Sequence, residues 1–81
     1  MPNNPVQEHL KEVEHQLLRC EAFVNSVRAN IRLLETGGRD ASEARELLSS
    51  YESSHTRLKA ARDRLRTALA RLERSSAMPA K

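Results

Sequence analysis

The sequence predicts an all-α fold: an antiparallel two-helix hairpin of coiled-coil type that pairs with a second copy to make a four-helix bundle. Three observations predict it. Apolar residues recur at alternating intervals of four and three in both halves of the chain, the signature of a helical seam. The pattern breaks once, at "LETGGRDASEARELL" (Leu34–Leu48), where a glycine pair stops one helix and a capping residue starts the next. The acidic and basic ends of the two halves are complementary when the chain folds back at that break.

The first helix is expected over 5–36. Its apolar positions are Val6, Leu10, Val13, Leu17, Cys20, Val24, Val27, Ile31 and Leu34, a 4-3 repeat without a miss. Asn4 followed by Pro5 supplies an N-cap and a preset first turn, with Gln7 placed for a capping box. The turn is expected over 37–40, with Gly37 in the left-handed conformation at the helix end. The second helix is expected over 41–74, with Asp40 as its N-cap and Glu43 three residues on. Its seam reads Leu47, Tyr51, Ser54, Leu58, Ala61, Leu65, Ala68 and Leu72. Residues 1–4 and 75–81 have no period and are expected to be disordered termini.

Folding the halves together pairs residues whose numbers add to 78, such as Ile31 with Leu47 and Cys20 with Leu58. In this register large side chains face Ser54, Ala61 and Ala68. Residues 7–22 carry four acids and two bases, whereas residues 57–74 carry seven bases and two acids. Antiparallel packing lays these segments side by side, with Glu14 near Arg62 and Glu21 near His55. Exposed pairs of this kind contribute roughly 0–1 kcal/mol each, so they orient more than they stabilise.

Composition narrows the functional classes. Eighty-one residues make one domain, 31% of them charged, with one Phe, one Tyr and no Trp. The net charge of +3, with both signs interspersed, is weak evidence for nucleic acid. The single Cys20 excludes an internal disulfide and fits a reducing compartment. The polar start "MPNNPVQEHLKEVEHQ" does not read as a secretory signal, and no apolar run is long enough to span a membrane. The expected localisation is therefore cytoplasmic.

No residue set points to catalysis, to a cofactor or to a metal, so a non-enzymatic role is expected. His9, His15 and His55 lack the partners at i, i+3 or i+4 on both helices that a bundle metal site uses. His55, in "SSHTRLKAARD", shares with the phosphoacceptor helices of histidine kinases only a mid-helix histidine. Cys20 lies on the seam, where a free thiol behaves as a small hydrophobe. The candidates for association are instead Leu18, Phe23, Leu48 and Leu69, apolar residues outside the seam. A two-helix core of this size rarely supplies more than ~3–5 kcal/mol unaided, and a homodimer would bury them. Arg57, Arg64 and Arg71 recur every seven residues. With Arg66 they form a candidate basic ridge that could contact phosphates, or, for Arg57, stack on Phe23. No groove-reading motif accompanies them.

Gly38-Arg39-Asp40, Glu43-Ala44-Arg45, Leu47-Leu48, Glu52 and Arg62-Asp63-Arg64-Leu65, together with the opening pair His9-Leu10, resemble a group of short uncharacterised helical-hairpin proteins from rhizobial-type α-proteobacteria. The likeness covers about residues 9 to 65, although "CEAFVNSVRANI" here is more apolar. It implies a bacterial source and an α-hairpin, and brings no activity or functional residue with it.

Overall fold

A computed structural model describes residues 4–77. Two helices make up the fold, α1 (Pro5–Thr36) and α2 (Ser42–Ala77), joined by a five-residue turn and packed side by side. The termini expected to be disordered at 1–3 and 78–81 lie outside the described residues. Asn4 is extended and caps α1: its Oδ1 accepts the Val6 N–H at 2.8 Å, and Pro5 occupies the first helical position, where no N–H is needed. At the far end α2 continues to Ala77, three residues past the expected stop. A helix needs no packed partner to extend its own hydrogen bonding for one more turn, and no Pro or Gly interrupts residues 75–77.

The turn follows from two glycines with different tasks. Gly37 keeps a helix-like backbone (φ −81°, ψ 2°), and Gly38 takes the left-handed one (φ +70°). This corrects the assignment of the left-handed position to Gly37. The Arg39 N–H reaches back to the Leu34 carbonyl at 2.8 Å and the Gly38 N–H to Glu35 at 3.1 Å. That nested pair is a Schellman motif, whose geometry places its positive φ one residue beyond the cap. Ala41 then takes the residue before α2, with its carbonyl accepting the Arg45 N–H at 2.9 Å. Asp40 caps from one position earlier than expected, its Oδ1 accepting the Ser42 N–H at 3.0 Å and the Ser42 hydroxyl.

The α1 seam is the core. Val13, Leu17, Cys20, Val24, Val27 and Ile31 are all buried, and Val6, Leu10 and Leu34 are half-buried at its ends. Near the turn, Val27, Ile31 and Ala41 form a cluster closed by Leu34, Ala44 and Leu48. Thus Leu48, and not Leu47, packs against Ile31 and Val27; Leu47 stays 42% exposed. The same rotation holds along α2. Half-buried Ala44, Leu48, Tyr51, His55, Leu58, Arg62, Leu65 and Leu69 continue the line begun by Ala41, whereas Ser54 and Leu72 are exposed.

The expected α2 seam therefore shares Tyr51, Leu58 and Leu65 with the observed one and differs at the positions between. Two stripes overlap on this helix, each with a 4-3 period. The adopted stripe places Leu48 and Leu69 in the seam and leaves Leu47 and Leu72 outside it, an exchange of two leucines for two. It also brings the helix flanks into charge register, as described below. Arg62 sits in it by lining the seam with its apolar stem while its guanidinium reaches Asp63, and His55 is half-buried with its Nε2 enclosed.

Gly38 is the position least tolerant of a side chain in the turn. No atom crowds the space a Cβ would fill, so the cost lies in the backbone alone. Gly38→Ala should destabilise the hairpin by about 1 kcal/mol, with Gly38→Asn costing less; thermal or urea melts followed by circular dichroism measure both.

Candidate interaction face

The two edges of the α1–α2 seam are built differently. Along one edge, Glu14, Glu21, Arg28 and Glu35 stand a heptad apart on α1. Facing them, in reverse order, Arg66, Lys59, Glu52 and Arg45 stand a heptad apart on α2. Arg28 Nη2 donates to Glu52 Oε2 at 2.9 Å, Arg66 Nη2 to Glu14 Oε2 at 3.1 Å, and Arg45 pairs with Glu35. On the remaining rung Glu21 and Lys59 share one groove, and the His55 Nε2 lies 3.3 Å from Glu21 Oε2. That histidine nitrogen is buried and makes no hydrogen bond of good geometry, although it lies close to the Glu21 carboxylate. The expected closeness of Glu21 and His55 is present. Glu14, however, is hydrogen-bonded to Arg66, while Arg62 turns to its neighbour Asp63 at 3.1 Å.

The other edge is open and apolar. The Phe23 and Tyr51 rings stack across it with centroids 4.3 Å apart and planes 27° from parallel, so Phe23 has an aromatic partner rather than Arg57. Gln16, Arg19, Cys20, Phe23, Tyr51, Ser54 and Leu58 line a shallow groove there. Phe23 remains 43% exposed, as does Leu72 at the far end of α2. Leu47, half-buried Ala61 and Ala68, and Leu72 extend this stripe along α2. Among the described residues every side chain buried within a helix belongs to α1. A helix with a stripe this wide is only partly covered by a single neighbour.

The association candidates do not converge. Phe23 lies on the open edge. Leu48 and Leu69 are half-buried in the α1–α2 seam, and Leu18, 66% exposed, lies on the charged edge beside Glu14, Glu21 and Lys59. Leu47, Ala61, Ala68 and Leu72 are the residues of the open face that sequence reasoning had placed in the hairpin core. Their heptad period marked them as a seam but could not say for which partner helix.

The basic ridge divides in the same way. Arg66 is held by Glu14. Among the described residues Arg57, Arg64 and Arg71 are exposed and enter no ion pair. Arg64 and Arg71, with Asp63, Thr67 and Ala68, line a second shallow groove beside the open stripe.

The Cys20 thiol is buried and donates weakly to the Tyr51 carbonyl at 3.4 Å, an environment that packs sulfur rather than activates it. Among the described residues no three His, Cys, Asp or Glu side chains converge as a metal site, and no helix is long and apolar enough to cross a membrane. No family model, curated protein or solved structure matches this chain.

Two predictions follow from the charged groups. Arg28→Glu should lower stability by about 0.5 kcal/mol, and adding Glu52→Arg should recover most of it, because the pair is half-exposed and acts by sign; a double-mutant cycle on urea midpoints at low salt checks this. The two hydrogen bonds from Ser42 hold the Asp40 carboxyl below its usual value of 3.8. They favour the ionised form and exist only in the folded chain, so their contribution is present above the unfolded pKa and is lost as pH falls below it. Asp40→Ala should therefore melt lower at neutral pH and lose less on acidification below about pH 4, measured as Tm against pH for both chains.

Proposed function

We propose that this chain is a non-enzymatic protein-interaction module, in which α1 and α2 form a helical hairpin that offers a second, unfilled helix-docking seam. The observation that carries this reading is the one-sided burial: the α1 seam is buried from Val13 to Ile31, whereas α2 leaves Leu47 and Leu72 exposed at the ends of a heptad-spaced stripe that runs beside the Phe23–Tyr51 stack. Apolar positions at seam spacing are what a neighbouring helix packs into. In the absence of another partner, a second copy covers this face and the pair forms a four-helix bundle, burying surface that a hairpin alone leaves in water. The lone buried thiol is compatible with a reducing, cytoplasmic setting, and the turn and helix-start residues suit a bacterial hairpin of the rhizobial type.

A small nucleic-acid-binding protein is the second reading, favoured by the unpaired Arg57, Arg64 and Arg71. It loses Arg66 to Glu14 and has no aromatic residue on the ridge to stack on bases.

Solution mass over a concentration series tests the first reading. The wild-type chain should approach a mass of two chains as concentration rises. The double variant Leu47→Lys, Leu72→Lys should shift the mid-point of that rise upward by tenfold or more, while Leu18→Lys on the charged edge should leave it in place. Equal masses for all three, with helicity intact, would sink the assignment of the open face.

A further inference from the structure

We infer that the occupant for which the open face is built is an amphipathic helix carrying carboxylates every seven residues. The inference rests on the docking role of that face and adds the chemistry of the partner. The stripe from Leu47 to Leu72 spans about 38 Å of helix, long enough to seat some 25 residues of a partner. Its middle is lined by small residues, Ser54, Ala61 and Ala68, which let a helix approach closely. On its outer flank Arg57, Arg64 and Arg71 repeat at the same interval as the stripe, each exposed and, among the described residues, without an ion pair. Flank positions of a helical seam meet the flank positions of the helix packed into it. A helix lying here meets a guanidinium at each turn of the heptad, and its complement is Glu or Asp at the matching positions. Arg19, lining the α1 side of the same groove, adds a fourth positive charge.

A second copy matches the stripe but not the charge. If α2 packs antiparallel on α2 of another chain, Leu47 meets Leu72 and Leu58 meets Ala61, and Arg57 of one copy falls opposite Arg64 of the other. Nor can α1 of a second copy supply the carboxylates, because its acids at heptad spacing, Glu14, Glu21 and Glu35, are already engaged across the closed edge. Like charges at flank positions weaken a helical pair. Self-association is therefore strengthened by salt, and docking of the acidic helix is weakened by it.

The test uses the full chain and three labelled synthetic helices of 26 residues that share one apolar heptad pattern and carry Glu, Gln or Lys at the flank positions. Binding is read by fluorescence anisotropy at low and moderate salt. The Glu helix should bind about tenfold more tightly than the Gln helix, the sum of three exposed helical charge pairs, and the advantage should shrink with salt. The triple variant Arg57→Glu, Arg64→Glu, Arg71→Glu, whose sites enter no ion pair among the described residues, should keep its helicity and prefer the Lys helix. Equal binding of the Glu and Gln helices overturns the acidic partner while leaving the docking face in place. No binding of any helix, together with a concentration-independent single-chain mass, overturns both. Duplex DNA that binds through the three arginines while the Glu helix does not bind assigns the ridge to nucleic acid and also overturns the inference.

Discussion

A single helix can enclose one stripe of a neighbour, and α2 carries two. This mismatch governs the rest of the molecule. The α1 seam from Val13 to Ile31 is buried along its whole length because α2 presents a surface wider than it needs. The converse does not hold, and the outer half of the α2 stripe is left to solvent beside Phe23 and Tyr51. The core that results is one layer of side chains, with even Val13 and Leu17 retaining 5% exposure. Such a core tolerates few losses, so the cap at Asn4 and the turn at Gly37–Gly38 contribute a larger share of the stability than they would in a bigger domain.

Electrostatics decides which of the two stripes faces α1. Each rung of the ladder from Glu35–Arg45 to Glu14–Arg66 is weak, being exposed to water at both ends. Three ion pairs and the Glu21–His55 contact along one edge nevertheless all favour one rotation of α2 and one register. The unused stripe and the unused arginines then fall together on the opposite side. Closed and open edges are thus two outcomes of one choice, and the open edge combines apolar surface with uncompensated positive charge.

The sequence by itself determined the helices, the turn and the α1 seam. An unbroken 4-3 period with a capped start and a double-glycine stop admits one local solution, since helix periodicity, N-capping and the left-handed glycine are all short-range effects. It placed the positive φ one residue early, because either of two adjacent glycines can take it and only the nested hydrogen bonds to Leu34 and Glu35 choose. Leu18, Phe23, Leu48 and Leu69 were alike in sequence, apolar and off the seam. The fold sorted them into the charged edge, the open edge and, for the last two, the interhelical seam. Only the tertiary structure decided which face of α2 would be inside. Two stripes sharing Tyr51, Leu58 and Leu65 differ by a small rotation about the helix axis, and periodicity is blind to that rotation. It is fixed by what stands opposite: the Arg28 and Glu14 side chains that Glu52 and Arg66 must meet, 24 and 52 residues away along the chain.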